Sequence, residues 1–546
     1  MAAKLQEMLF HAMSDPAFYP HAVRGPSQQE THISRVFLTG PYVYKIKKPV
    51  DLGFANFTSL EKRRFFCEQE VLLNQRLTDG IYLGVIPIGY DGRQFRLNAS
   101  ENVVEYAVKM QQMPAAAAMH RLMSAGRIDR DDLYGLAARL AGFHQTARPI
   151  TDPAVRTYVQ SACTENFRQI MPFSGKMLDA GQYDFVRAAT FNFFIRGKTL
   201  LEKRIASDRF RDCHGDLRAE HVYFTADGRI QILDCIEFNK RLRLTDTASD
   251  LSFLIMDLES RLESKAAREL LRAYYDHCAD LAMPALMDFY KCYRAMVRCK
   301  VNCIRLGSRD LSRRLRSVLT ANAQCYLHLA HYYARRFSRP TIWVFCGLPG
   351  SGKSTLAAGL ADLLAIENYN SDRVRKKIAG LSPLARGNGP ADEGIYCPEM
   401  NAKVYDHLFD MARKAVAESR SLILDATYSA VSHRDRLRHL ADDCGIRIFF
   451  AECRADDDGL LRRLTRREIT PSVSDARTAH LGLLKSRFEA LSEIPPTRHV
   501  VLNTGGSEEV CLRELLVAAY LDNGDAWPGM PSDREPSARS VQEPVA

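Results

Sequence analysis

The stretch "GLPGSGKST", residues 347–355, sets glycines, a lysine and a serine where a chain of phosphates can be gripped. It fits G-x-x-x-x-G-K-[ST] with Gly347, Gly352, Lys353 and Ser354. Such glycines let backbone N–H groups converge on phosphate oxygens, so Gly350, Ser351 and Thr355 join the expected nucleotide-binding set. Lys353 is expected at the outer phosphates and Ser354 on Mg²⁺. Downstream, "YNSDRVRK" places Asp372 and Arg375 one helical turn apart. A carboxylate there can accept the proton of an attacking hydroxyl, and the arginine can hold an anionic substrate. The plainer alternative is that Ser371 or Asp372 only caps the next helix. "SLILDATYS" is an apolar strand ending on Asp425, the usual position of a carboxylate facing the Mg²⁺ shell. "LLRRLTRRE" sets Arg463 and Arg467 four apart on one helix face, able to close over phosphates, while Arg462 and Arg466 read as a solvated basic face.

A second constellation lies upstream. "HGDLRAEHVYFTADGRIQILDCIEF" has the spacing of a kinase active site. Asp216 would orient an acceptor hydroxyl and take its proton. A hairpin turning at Ala226-Asp227-Gly228 then returns the chain, and the strand "IQILD" delivers Asp234 to a metal on the phosphates. Asp250 opens a helix and is expected to bond the backbone of the catalytic loop. In "YVYKIKK", Lys45 and Lys47 share one strand face; one of the two is expected to pair with Glu70 of "CEQEVLLNQRL" and touch the α- and β-phosphates.

The order P-loop, "SDxxR", "ILDAT" and double-arginine lid resembles the P-loop kinase group that includes phage polynucleotide kinase, zeta-toxin kinases and many small-molecule kinases, over about residues 340–510. The resemblance implies Asp372 as base, Arg375 at the substrate, Asp425 near metal or substrate, and Arg463 and Arg467 in a lid. Residues 30–335 resemble the aminoglycoside phosphotransferase family, whose relatives act on choline, sugars, homoserine and other small hydroxyl compounds. The whole chain is similar to bacterial two-domain proteins that fuse such a domain to a P-loop ATP-binding domain. "YKIKKPVDLGF", "HGDL", "DCIEFN" and "SDLSFLIMDLE" carry that match. Two positions depart from the family. His221 stands where it usually has asparagine, and Arg218 replaces a frequent histidine. Imidazole is a poor Mg²⁺ ligand, so a second metal would be held weakly by His221, held by Glu237 instead, or be Mn²⁺. Alternatively His221 is a hydrogen-bonded residue at a strand edge. No Gly-rich loop covers the phosphates; only Gly40 stands between the first strands. The expectation is a re-tuned or slow site.

These residues need elements to hold them. Residues 30–48 alternate as two strands around Gly40-Pro41, residues 58–79 read as a helix capped by Thr58 or Ser59, and short strands follow near 84–90, 93–98 and 103–110. From Pro114 to about 205, and again from 247 to 336, the pattern is helical. The fold expected is an α+β bilobal kinase-like domain over 1–335. After "RRFSRP" the grammar changes. Strands at "TIWVFCG", 421–425, 446–452 and 499–503 alternate with helices, an α/β P-loop domain with a parallel sheet over 340–523. Residues 524–546, rich in Pro, Ser and charge, read as a disordered tail.

Composition agrees. Of the residues, 46% are hydrophobic and 26% charged, which suits ordinary cores. The 14 cysteines are irregularly spaced with no CxxC pair, which points to reduced thiols in a cytoplasmic protein. Cys292, Cys299 and Cys303 share one helix face and read as a buried stripe rather than a metal site. "MAAKLQEMLFHAMSDPAF" reads as neither signal peptide nor membrane span, and no membrane partner is expected. The net charge of +10 suits nucleotides and permits nucleic acid, but no aromatic-plus-basic run favours it. The sequence thus points to an ATP- and Mg²⁺-dependent tandem phosphotransferase acting on a small-molecule hydroxyl. Alternatives are a non-catalytic N-terminal module beside one active P-loop kinase, an ATPase switch, or a nucleic-acid 5′-hydroxyl kinase.

Overall fold

The computed structural model describes residues 2–522 except 52, 54, 153, 309–310, 386–392 and 471–472. The expected tail over 524–546 lies outside the described residues.

The chain opens with a six-stranded sheet in the order β1-β2-β3-β6-β4-β5, every pair antiparallel. Its strands are β1 (Ser27–Glu30), β2 (Ser34–Leu38), β3 (Tyr42–Lys47), β4 (Tyr82–Tyr90), β5 (Phe95–Leu97) and β6 (Val103–Gln111). Alternation along β3 sends Tyr44 and Ile46 to one face and Val43, Lys45 and Lys47 to the other. The first face packs on the Ala2–Ala12 helix through Leu9, Phe10 and Met13. The second packs on the Leu60–Asn74 helix around Cys67. Ser59, not Thr58, caps that helix, accepting from Lys62 N at 3.3 Å. The helix turns Arg63, Cys67, Glu70 and Asn74 inward at helical spacing.

A helical lobe follows, built around the Arg130–Thr146, Thr247–Ser260, Ser264–His277, Met283–Leu306 and Arg313–Phe337 helices. Two small antiparallel ladders interrupt it: β7 (Phe210–Asp212) with β10 (Leu244–Asp246), and β8 (Val222–Phe224) with β9 (Ile230–Ile232). The His-Gly-Asp segment runs between β7 and β8. This is an α+β bilobal architecture. Cys292, Cys299 and Cys303 are buried and free, as are most of the other cysteines.

The remaining strands form a five-stranded, wholly parallel sheet in the order β12-β13-β11-β14-β15. They are β11 (Thr341–Cys346), β12 (Glu367–Asn370), β13 (Leu422–Asp425), β14 (Arg447–Arg454) and β15 (His499–Asn503). Central β11 is buried throughout, with helices and separate apolar clusters on its two faces. That is the α/β arrangement of a P-loop domain. The two parts touch: Arg513 donates to the carbonyls of Tyr275 and Cys278 at 2.5 and 3.1 Å, and Leu521 joins the core of the helical lobe. Among the described residues, no helix is long and apolar enough to cross a membrane.

Candidate active sites

β11 delivers the chain into the 347–352 turn, and the Lys353–Leu364 helix leaves it with its N-terminus toward the turn. Gly347, Gly350 and Gly352 all have positive φ, at +135°, +84° and +87°. A Cβ on Gly347 would sit 2.4 Å from the Cys453 carbonyl oxygen. Gly347→Ala is therefore expected to destabilise this domain by about 1–3 kcal/mol of backbone strain, and to weaken nucleotide binding. Thermal melting and nucleotide titration check it.

Lys353 Nζ reaches back across the turn to the Leu348 carbonyl at 3.4 Å. Asp425, at the end of β13, is 1% exposed. Its Oδ2 accepts from Asn370 Nδ2 at 2.6 Å, while Oδ1 has no hydrogen-bond partner among the described residues. Burial raises the Asp425 carboxyl, against Lys353, Asn370 and Ser354, which draw it down. An orphaned carboxylate oxygen beside a serine hydroxyl and a phosphate cradle fits a hard divalent cation.

Asn370, which sequence reasoning passed over, has a second task. Its side chain accepts from Arg373 N at 3.1 Å and caps the Ser371–Ile378 helix. The capping role weighed for Ser371 or Asp372 thus falls to Asn370, and Asp372 is left about 3.9 Å from Arg375 Nε. Arg375 is buried, lies over the Tyr396 ring and donates to the Ile395 carbonyl.

The two lid arginines part company. Arg463 is tied down, donating to the Gly350 carbonyl at 3.1 Å and to Thr504 Oγ1 at 3.0 Å. Thr504, also missed, in turn donates to the Ser351 carbonyl at 2.7 Å, so the pair braces the phosphate loop. Arg467 is half-buried; burial lowers its pKa, against the attraction of Asp372 and Asp425. A cavity of about 370 Å³ opens between loop and lid, lined by Gly352, Thr355, Arg463, Arg467, Glu508 and Cys511 among others. Arg462 is exposed as expected; Arg466 is exposed too, but stands on the rim of this cavity.

In the N-terminal half, Lys45 Nζ lies 2.9 Å from Glu70 Oε1 and 2.7 Å from Asp234 Oδ1. Lys47 also pairs with Glu70, at 2.5 Å, but is fully buried and closes on Glu237. Lys45 keeps 10% of its side chain exposed and holds the part-exposed Asp234, whereas Lys47 is enclosed. Glu237 is engaged by Lys47. Asp234, with φ +65°, keeps 27% of its side chain exposed. Burial raises its carboxyl, but Lys45 and His221 prevail and hold it well below the usual range.

Asp250 accepts the backbone N–H groups of His214 and Gly215 at 2.9 and 2.8 Å, as expected, and shapes the loop that carries Asp216. Both Asp216 oxygens take Arg218, Oδ1 from Nε at 3.0 Å and Oδ2 from Nη2 at 2.9 Å. Burial raises this carboxyl too, and Arg218 with His221 brings it below the ordinary range.

His221 differs from the metal role set out above. Its Nδ1 lies 2.8 Å from the Asp216 carbonyl, which only accepts, so Nδ1 carries the proton. The remaining lone pair on Nε2 takes an Arg218 N–H at 3.3 Å. Both ring nitrogens are thus hydrogen-bonded within the loop, and Nε2 lies about 3.8 Å from Asp234 Oδ2. Burial and Arg218 push His221 down from its ordinary 6.5 to about 4. The unfolded chain takes up this proton near 6.5 and the folded chain only near 4, so the unfolded state binds more protons between the two. Stability falls as pH drops through that window. His221→Asn is expected to flatten part of the slope, measured as the urea midpoint at about pH 7 and about pH 5.

A domain family described as AAA domain matches residues 342–491. Over a longer span, the chain is 30% identical across 445 residues to Rv2004c of Mycobacterium tuberculosis, covering 80% of this chain and 86% of the relative. The chain belongs to the Rv2004c family. Mb2027c of Mycobacterium bovis matches to the same extent. The stretch shared with Rv2004c is longer than either half alone, so the similarity reaches into both. Among solved structures, 60% of the chain matches 99% of a choline/ethanolamine kinase family protein from Mesorhizobium loti, at 14% identity and a TM-score of 0.35. A gluconokinase from Sinorhizobium meliloti matches 33% of the chain and 91% of its own, at 17% identity and a TM-score of 0.25.

Proposed function

We propose that this member of the Rv2004c family is an ATP-dependent tandem phosphotransferase that moves the γ-phosphoryl group to a hydroxyl of a small molecule. One domain spans 1–335 and the other 340–523, and the protein works in the cytoplasm. The observation that carries the reading is that each half, on a different fold, sets a lysine against one carboxylate and holds a second on the same site: Lys353 draws down the buried Asp425 beside Asp372, and Lys45 grips the part-buried Asp234, with His221 about 3.8 Å from both Asp234 and Asp216.

In the C-terminal half, the 347–352 amides and Lys353 bind phosphates, Asp372 takes the proton of the incoming hydroxyl, and Arg375 orients the acceptor. Arg467 neutralises charge from the lid side, while Arg463 keeps the loop in shape. In the N-terminal half, Lys45, held by Glu70, binds phosphate. Asp216 orients the hydroxyl once Arg218 yields one of its oxygens. Ser354 with Asp425, and separately Asp234, would hold Mg²⁺, or Mn²⁺ at the second site. The cation supplies charge neutralisation on the phosphates and little else is needed, since phosphoryl transfer depends mainly on positioning and electrostatics.

A narrower reading, in which the N-terminal half is only a binding module or the P-loop half an ATPase switch, gives a different result in one experiment. The protein is incubated with γ-labelled ATP and a metabolite extract, beside Asp216→Ala and Lys353→Ala. Labelled small molecules that disappear separately in the two variants support tandem transfer. Label only in inorganic phosphate contradicts it. Label on added RNA or DNA ends, with binding that falls steeply with salt, points to a 5′-hydroxyl kinase instead.

A further inference from the structure

Five buried or nearly buried charges alternate in sign across the N-terminal site: Asp234, Lys45, Glu70, Lys47 and Glu237. Lys45 and Lys47 leave β3 on the same face, two residues apart. Glu70 splits its carboxylate between them, Oε1 to Lys45 and Oε2 to Lys47. Glu237, three residues beyond Asp234, closes the line on Lys47. The side chains of Glu70 and Lys47 are 0% exposed and that of Glu237 is 3% exposed.

A fully buried ammonium survives only with partners, and removing one partner of such a pair strands a charge. Lys47 never reaches the cleft, so a nucleotide does not explain it. Its effect is on Glu70. In kinase-type sites the lysine–glutamate pair must be assembled before phosphate is gripped, and displacement of the glutamate's helix is a common way to switch the site off. Here that helix is also pinned at its other end. Arg63 Nε lies 2.9 Å from Glu105 Oε1, and Gln6 ties Glu105 to the Lys47 carbonyl, at 2.7 and 2.9 Å.

We propose that Lys47 and Glu237 are positioning residues that lock Glu70, and through it Lys45, in the phosphate-binding arrangement before any nucleotide arrives. The site is thus assembled permanently, without an activating step on the Leu60–Asn74 helix. This rests on the reading that the N-terminal half binds a nucleotide. The ladder also predicts an asymmetry. Without Lys47, Glu237 becomes a buried carboxylate whose remaining cation is Lys45, which it already attracts. Lys45 is then drawn away from Asp234 and the phosphates. Neutralising Glu237 at the same time removes the competitor.

The test uses the full chain with Lys353→Ala, so that only the N-terminal site binds a non-hydrolysable ATP analogue with Mg²⁺. In that background Lys47→Met is expected to weaken the analogue by about 10- to 100-fold, and Lys47→Met with Glu237→Gln to regain most of the lost affinity. A purely structural lysine would show the loss and recovery in melting temperature, with the analogue affinity of the folded protein unchanged. If Lys47→Met does not fold, Lys47→Gln carries the same comparison, because its amide can still bond Glu237 without the charge. Unchanged affinity in the single variant, or a double variant as weak as the single one, overturns the proposal. If the Lys353→Ala background itself binds no analogue, the nucleotide reading of this half falls first and the ladder's role with it, a failure separable from the other two.

Discussion

Lys353→Ala is expected to lower ATP turnover at the C-terminal site by about 10²–10³-fold, the scale of losing a preorganised charge at a developing anion. The lysine sits at the start of the Lys353–Leu364 helix, turned back over the phosphate loop, and it acts on the buried Asp425. Its loss removes the cation that meets the outer phosphates and takes away one of the groups that draw Asp425 down. The fold should survive, because Arg463 and Thr504 brace the loop independently. Turnover is read as phosphate release or transfer in an Asp216→Asn background, so that only the C-terminal site contributes. A loss of melting temperature in place of a loss of turnover would assign Lys353 to structure.

Asp216→Asn is expected to lower transfer at the N-terminal site by about 10²–10⁴-fold while leaving nucleotide affinity little changed. The reason is the division of labour among the carboxylates. Asp234 and Lys45 form the phosphate end, while both oxygens of the neighbouring Asp216 are bonded to Arg218 instead. Asparagine fills the same space and can still accept from Arg218, but it cannot take a proton from an alcohol. The measurement is label transfer in a Lys353→Ala background. Full transfer by the asparagine variant would make the N-terminal half a binding module.

Much of this was legible in one dimension. The Gly-rich cradle needs particular residues at fixed offsets, and the structure puts positive φ at Gly347, Gly350 and Gly352, where the motif demands glycine. The strands of the parallel sheet stand out because β11 and β13 are buried on both faces and read as unbroken apolar runs. The Ala2–Ala12 helix escaped notice because its role, covering the back of the first sheet, is set by packing against Phe37 and Tyr44 far along the chain.

What sequence left open was which member of a pair faces the chemistry. Lys45 and Lys47 have the same strand phase, so only the third dimension shows that Lys47 is enclosed by Glu70 and Glu237. Likewise Arg463 and Arg467 share a helix face, yet one is tied to the loop and to Thr504 while the other is left lining the cavity between loop and lid. Asn370 and Thr504 gave no motif signal; they act by bonding groups 55 and 153 residues away. His221 read either as a substituted metal ligand or as a hydrogen-bonded strand-edge residue, because spacing shows which residue is present, not where its lone pairs point.

The central claim is that one chain holds two separate nucleotide sites. Equilibrium titration of the intact protein with a non-hydrolysable ATP analogue and Mg²⁺ tests it most directly. The account predicts two molecules bound per chain, falling to one in Lys353→Ala. A single molecule bound by the unmodified protein, with all binding lost in Lys353→Ala, would contradict it.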